Sequence, residues 1–168
     1  MNNDRLTLGS LFDGSGGFPL GGLISGITPL WASEIEPFPI RVTTKIMPWV
    51  KHYGDVSAIS GADLPPVDII TFGSPCQDMS VAGKRSGLDG ERSSLFYQAV
   101  RIVKEMRCAT DGKYPRYIVW ENVPGAFSSN KGADFQSVLE EICSVKGYEI
   151  HTPRPERWAN AGEIVADD

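Results

Sequence analysis

The chain alternates short apolar, β-branched runs with longer amphipathic stretches, and most of the apolar runs end in glycine, proline or an acidic residue. Strands that alternate with helices favour a parallel β-sheet covered by helices on both faces. Helical spacing of apolar residues is clearest over residues 95–106 and 135–142. The sequence therefore predicts an α/β fold. The predicted strands are Leu6–Phe12, Leu30–Ile35, Val67–Gly73 and Tyr117–Asn122.

Several local features refine this prediction. The run at Tyr117–Asn122 is apolar on both faces, as expected of a fully buried parallel strand. Asp134 is placed to cap the predicted helix over residues 135–142. Ser93 or Ser94 is placed to cap the predicted helix over residues 95–106. A weaker strand signal lies near residue 150.

Length and charge limit the class of protein. The 168 residues are enough for one domain with a real core, and the net charge of −5 does not provide a general basic face for nucleic acid. The three cysteines are odd in number and lack CxxC spacing, so we expect no disulfide framework and no metal site. Cys108 and Cys143 lie on helix faces and are expected to be buried. The absence of a long apolar run predicts no membrane span and a cytoplasmic protein.

The loop after the first predicted strand is glycine-rich and has the form GxGG. Gly14, Gly16 and Gly17 allow the backbone to turn sharply and approach a ligand just before a helix begins. Glu34 lies about 20 residues further on, where a carboxylate commonly binds ribose hydroxyls. Asp55, at a third loop, could accept a hydrogen bond from an exocyclic amine. This ordered set predicts a cofactor that contains adenosine.

Each of these features also has a simpler interpretation. A GxGG segment is often only a turn, Glu34 can be a solvated acid, and Asp55 can cap a turn. Their occurrence in order at successive loops favours the cofactor.

Cys76 follows Gly-Ser-Pro at the end of an apolar strand, where ligands bind in parallel sheets. A thiol there can act as a nucleophile. The next strand ends in Glu121, and the two strands are neighbours in the usual doubly wound order. A thiol and a carboxyl without a histidine suit attack on a conjugated ring whose nitrogen is protonated or hydrogen-bonded as the thiol adds.

These segments, in this order and spacing, resemble the cytosine-C5 DNA methyltransferases over residues 6–150. The resemblance implies a Rossmann-like fold with an incomplete sheet, S-adenosylmethionine as methyl donor, and a cytosine flipped out of DNA. Cys76 would then add to C6 of the base while Glu121 holds or protonates N3. A bacterial or phage restriction-modification role is implied. The matching segments are LFDGSGGF, ASEIEP, GDV, GSPCQDMSVAGKRSGLDGERSSLF and ENVPG.

The resemblance also assigns binding residues. Ile35 stands where many members have a bulky residue that stacks on adenine, and residues 78–94 resemble the mobile loop that closes on DNA. The basic residues of that loop can also be read as solvated surface. The implied cofactor residues are Phe12, Asp13, Gly14, Gly16, Gly17, Glu34, Ile35, Asp55, Val56, Pro75 and Leu95. The implied DNA-binding residues are Gln77, Ser80, Lys84, Arg85, Arg92, Asn122 and Val123.

The family's base-contacting arginine motif, its target-recognition domain and its late cofactor motif are not found in this sequence. We therefore expect residues 1–168 to be the N-terminal part of a catalytic domain. Double-stranded DNA would be bound through the complete enzyme, and a C-terminal partner chain or self-association is expected. A non-catalytic fragment, one subunit of a split enzyme, and an RNA cytosine-C5 methyltransferase remain alternatives.

Overall fold

The computed structural model describes residues 5–73 and 95–153, apart from the side chains of residues 129 and 130. Within them five parallel strands form one sheet in the order β3-β2-β1-β4-β5. The α/β prediction is confirmed, although the strand bounds differ by a few residues and β3 was not predicted. The strands are β1 (Thr7–Leu11), β2 (Thr28–Ser33), β3 (Lys51–His52), β4 (Ile69–Phe72) and β5 (Tyr117–Trp120). The helices are α1 (Gly17–Ile24), α2 (Pro37–Ile46), α3 (Leu95–Ala109) and α4 (Ala133–Ser144).

The sheet carries helices on both faces, and β2 shows why. Neighbouring residues of a strand point to opposite faces. Trp31 belongs to the larger apolar cluster, which includes the buried side of α3, whereas Ala32 packs with Met47 and Val50 in a separate cluster beside α2. Residues buried on both sides of one strand require cover on both sides.

A close approach between β1 and Trp31 organises the larger cluster. A Cβ atom at Gly9 would lie 2.1 Å from Cζ2 of Trp31, so only glycine leaves room for the indole ring. The Nε1 of Trp31 donates a 2.9 Å hydrogen bond to the carbonyl of Pro65, which satisfies the polar atom of this fully buried side chain.

The prediction that the run at Tyr117–Asn122 is buried on both faces is wrong. β5 is an edge strand of the described sheet, and its residues alternate between exposed and partly buried. Ile118 and Trp120 pack against the core, whereas Tyr117 and Val119 are 52% and 44% exposed. An apolar pattern on both faces cannot distinguish a covered strand from one whose second face is open.

Three smaller expectations also need correction. Gly132, at φ 85°, is the N-cap of α4, and Asp134 lies buried in the first turn instead of capping it. Cys108 is exposed and Cys143 only partly buried. Residues 148–152 form no strand. Ser93 and Ser94 lie outside the described residues.

Within the part of the chain that the structure describes, no helix is both long and apolar enough to span a bilayer.

Candidate active site

The strand ends bring the candidate residues to one edge of the sheet. In the parallel registers, Leu11 lies beside Ser33 and Phe72, and Phe72 lies beside Trp120. The residues that follow these positions therefore emerge together, as expected for the ligand side of a parallel sheet. The adjacency of β4 and β5, on which the pairing of Cys76 with Glu121 was predicted, is confirmed.

A cavity of about 340 Å³ lies between these loops, within the size range of small-molecule sites. Six residues predicted to bind a cofactor line it, together with four that sequence reasoning missed. The predicted lining residues are Phe12, Glu34, Ile35, Asp55, Val56 and Leu95. The missed ones are Ser33, Glu36, Gly54 and Gly73.

Two of the missed residues join neighbouring loops. The hydroxyl of Ser33 donates a 2.6 Å hydrogen bond to the carbonyl of Gly54, and the carbonyl of Ser33 accepts from the amide of Asp13 at 3.0 Å. The sequence could have indicated Ser33 as a site residue, because it is a polar residue at the end of an apolar strand.

Glu34 is not a simple solvated acid. Its Oε2 accepts a 2.7 Å hydrogen bond from the amide of Gly14, and its Oε1 accepts from the amides of Ile35 and Glu36 at 2.8 and 3.0 Å. The carboxylate is therefore held at the cavity wall by backbone donors. Each carboxylate oxygen has two acceptor positions, so Oε1 is fully used and Oε2 keeps one position for a ribose hydroxyl.

Asp55 both caps a turn and lines the cavity. It is the N-cap of the short 3₁₀ helix Val56–Ala58, and its Oδ1 accepts from the amide of Ser57 at 2.8 Å and from the Ser57 hydroxyl. These bonds from Ser57 lower the pKa of Asp55. The carboxylate is thus kept ionised beside Val56, whose side chain is buried.

Asp13, Gly14, Gly16 and Gly17 do not line the cavity. Asp13 is 6% exposed, and its Oδ2 accepts a 3.5 Å hydrogen bond from the hydroxyl of Thr43. Burial, and to a smaller extent the negative charge of Glu34, raises the pKa of the Asp13 carboxyl to about 6. Gly16 has a φ of 86°, and a Cβ there would lie 2.9 Å from Oγ1 of Thr43. Asp13 and Gly16 thus contact Thr43 of α2 and hold the glycine-rich loop against that helix.

Glu121 directly follows the last residue of β5 and lies beside Gly73, which directly follows β4. Its amide donates a 3.0 Å hydrogen bond to the carbonyl of Phe72, which continues the β4–β5 pairing. A Cβ atom at Gly73 would lie only 2.8 Å from the Oε2 of Glu121, so the carboxylate rests directly against this glycine. Asn122 follows, and its Oδ1 accepts a 2.8 Å hydrogen bond from the amide of the exposed Val123.

Seven predicted site residues lie outside the described residues and stay predictions. They are Pro75, Cys76, Gln77, Ser80, Lys84, Arg85 and Arg92.

Comparison with known proteins agrees with this geometry. Residues 6–154 match the model of the C-5 cytosine-specific DNA methylase family. The Type II methyltransferase M1.ScrFI of Lactococcus lactis subsp. cremoris is 36% identical over 143 residues, which cover 84% of this chain and 34% of that protein. The DNA N-6-adenine-methyltransferase of Escherichia phage P1 is 37% identical over 114 residues, which cover 64% of this chain and 15% of that protein. The chain thus spans about a third of the length of the first of these relatives and less of the second.

A solved structure shares the fold. It is that of a prophage-encoded E. coli protein named as a DNA modification methyltransferase, with a TM-score of 0.61 and 24% sequence identity. The match covers 83% of this chain and 38% of that one. The described sheet with its helices is therefore an incomplete Rossmann-like α/β fold.

Proposed function

This chain belongs to the C-5 cytosine-specific DNA methylase family, and on that premise we propose that it forms the catalytic face of an enzyme that methylates C5 of cytosine in DNA. The family and fold imply a methyl donor. We assign that role to S-adenosylmethionine, bound in the cavity between the loops after β1, β2 and β3. Residues 1–168 are the N-terminal part of the catalytic domain in this proposal.

The donor set of the cavity fits an adenosine group. Apolar side chains of Phe12, Ile35, Val56 and Leu95 provide surfaces for a flat base, and Glu34 offers a carboxylate for ribose hydroxyls. Asp55 lines the same cavity and is kept ionised by Ser57, so it can accept a hydrogen bond from an exocyclic amine.

The observation that carries the catalytic assignment is the contact of Glu121 with Gly73. Gly73 lines the proposed cofactor cavity, and its missing side chain leaves the place that the Glu121 carboxylate takes. Cys76 lies three residues after Gly73 in the segment GSPC. This supports a single site at which a thiol and a carboxyl act on one base next to a methyl donor.

The proposed chemistry follows from these groups. The Cys76 thiolate adds to C6 of cytosine while Glu121 holds or protonates N3, which moves the electrons of the C5–C6 double bond to C5. C5 would take up the electrophilic methyl group of S-adenosylmethionine held in the cavity, with S-adenosylhomocysteine as the leaving product. A base then removes the C5 proton, the double bond re-forms, and the Cys76 thiolate is expelled.

We propose that a further part of the enzyme binds duplex DNA and covers β5. The edge position of β5 and the exposure of Tyr117 and Val119 support this, because an open apolar strand edge favours further pairing. The net charge of −5 also favours DNA contacts outside this chain.

The test is methyl transfer by the complete reading frame that contains this chain, with labelled S-adenosylmethionine and either unmethylated DNA or RNA. Nucleosides from the product are separated to distinguish 5-methylcytosine from N6-methyladenine. We expect 5-methylcytosine in DNA. Cys76→Ala should abolish transfer, whereas Cys108→Ser, at an exposed cysteine, should not. Label in N6-methyladenine or in RNA alone would refute the proposed substrate.

A further inference from the structure

Arg101 of α3 holds the loop that forms one wall of the cavity. Its Nη2 donates a 3.0 Å hydrogen bond to the carbonyl of Val56, and its Nη1 donates a 2.9 Å hydrogen bond to the carbonyl of Ile59. Val56 and the preceding Asp55 line the cavity, but Arg101 does not. The guanidinium therefore acts on the wall from behind.

Glu105 completes this attachment one helical turn later. Its carboxylate lies 2.8 and 2.9 Å from Nη1 of Arg101, and its Oε2 accepts a 2.7 Å hydrogen bond from the amide of Gly61. A Cβ atom at Gly61 would lie 2.1 Å from the carbonyl oxygen of Ile102 on α3. Segment 56–61 is thus hydrogen-bonded to α3 through the carbonyls of Val56 and Ile59 and the amide of Gly61. Gly61 also packs closely against the backbone of α3.

The same helix also contributes to the cavity lining, because its first residue, Leu95, lines the cavity. The attachment therefore sets the spacing between Leu95 and Val56, two of the apolar side chains that a base would contact. We propose that Arg101 is a positioning residue that fixes the width of the adenine-binding part of the cavity. This inference rests on the proposed cofactor site.

Chemistry explains why an arginine occupies this position. A planar guanidinium can donate to two carbonyls and a carboxylate at once, which the single ammonium of lysine cannot do in the same geometry. Its Nε also donates to Oε1 of Gln98 at 2.8 Å, which orients the side chain along the helix.

A purely structural role for Arg101 would affect stability alone, and α3 offers a matched control. Lys104 forms a 2.6 Å ion pair with Glu141 of α4, at an exposure similar to that of the Arg101–Glu105 pair. Neither residue of that pair lines the cavity. Lys104→Met thus removes one charge and one ion pair from the same helix without touching segment 56–61.

The experiment uses the 168-residue chain and compares wild type with Arg101→Met, Arg101→Lys, Glu105→Gln and Lys104→Met. Hydrogen exchange of the amides in residues 57–61 reports the attachment, and calorimetry with S-adenosylhomocysteine reports affinity. We expect faster exchange and an affinity about tenfold lower in Arg101→Met, as loss of charge-assisted hydrogen bonds implies. Arg101→Lys and Glu105→Gln should show smaller losses in both readouts. Lys104→Met should leave both at the wild-type level.

Wild-type exchange in Arg101→Met would overturn the attachment, and wild-type affinity despite faster exchange would overturn its effect on the cavity. If Lys104→Met loses as much affinity for S-adenosylhomocysteine as Arg101→Met does, Arg101 only stabilises the fold and does not position the cavity wall. If the wild-type chain binds no S-adenosylhomocysteine, the proposed cofactor site itself fails, while exchange still decides whether Arg101 holds the segment. Arg101→Lys and Glu105→Gln decide the same questions if Arg101→Met does not fold.

Discussion

The amide of Gly14 donates a 2.7 Å hydrogen bond to Oε2 of Glu34, and this contact joins the loops that follow β1 and β2. Gly14 has a φ of 54°, in the left-handed region that glycine adopts without strain. Glu34 therefore orders the glycine-rich loop as well as lining the cavity.

Removal of the Glu34 carboxylate should weaken cofactor binding. Glu34→Ala should reduce the affinity for S-adenosylmethionine by about 1–3 kcal/mol, because charge-assisted hydrogen bonds to ribose are lost and the Gly14 loop is released. Calorimetry measures this, with Asp63→Asn as a control at an exposed acid outside the cavity lining. Unchanged affinity in Glu34→Ala would limit Glu34 to holding the loop.

A methyl group at Gly73 should disturb Glu121. The Cβ atom of an alanine at position 73 would lie 2.8 Å from Oε2 of Glu121, so the Glu121 carboxylate must move away. In the complete enzyme, Glu121→Gln should lower the rate by about 10²-fold, the usual contribution of a positioned acid, and Gly73→Ala should lower it to a smaller extent.

Single-turnover methyl transfer checks this prediction. Gly125→Ala is the control, since a Cβ there has only an ordinary 3.9 Å contact with Val123. A Gly73→Ala enzyme as fast as the Gly125→Ala enzyme would remove the Glu121–Gly73 contact from the mechanism.

Asp13 should make the stability of the chain depend on pH. Burial raises its pKa from 3.8 to about 6, so between these values the folded chain keeps a proton that the unfolded chain loses. The stability that protonated Asp13 contributes is therefore present below about pH 4 and is lost as the pH rises through 6. Asp13→Asn should remove this loss and raise the free energy of unfolding at pH 8 by about 2–3 kcal/mol.

Denaturant unfolding from pH 4 to pH 8 tests this. The difference between Asp13→Asn and wild type should grow with pH and level off above pH 6. A difference that does not change with pH would contradict the raised pKa of Asp13.

The open edge at β5 should cause self-association. We expect the 168-residue chain by itself to fold, to be catalytically silent and to form dimers, because Val119 exposes an apolar side chain on an edge strand. Val119→Lys should shift sedimentation towards the monomer. Ile24→Lys, at a side chain 79% exposed on α1, should not. If Val119→Lys and Ile24→Lys dimerise to the same extent, the chain associates through a surface other than β5.

Four of the five described strands, the helices α3 and α4, and the loops that carry Phe12, Glu34 and Asp55 could be predicted from the sequence. Their signals are local, since apolar runs, glycines and the residue that ends each run are all within one short window. The adjacency of β4 and β5 followed from the usual strand order of such sheets.

Other features depended on packing between distant segments. The sequence did not indicate that Gly73 makes room for Glu121, that Asp13 is buried, or that Arg101 ties segment 56–61 to α3. The apolar pattern of β5 could not show that one of its faces is open.

The sequence by itself determined the order of strands and helices and which residues stand at the strand ends, because both follow from local periodicity and turn chemistry. Tertiary structure alone decided which of those residues share a cavity and which support it from behind. The register of parallel strands and the close packing of Gly9 on Trp31 and of Gly61 on α3 are set by atoms far apart in the chain. No short segment contains the information that fixes them.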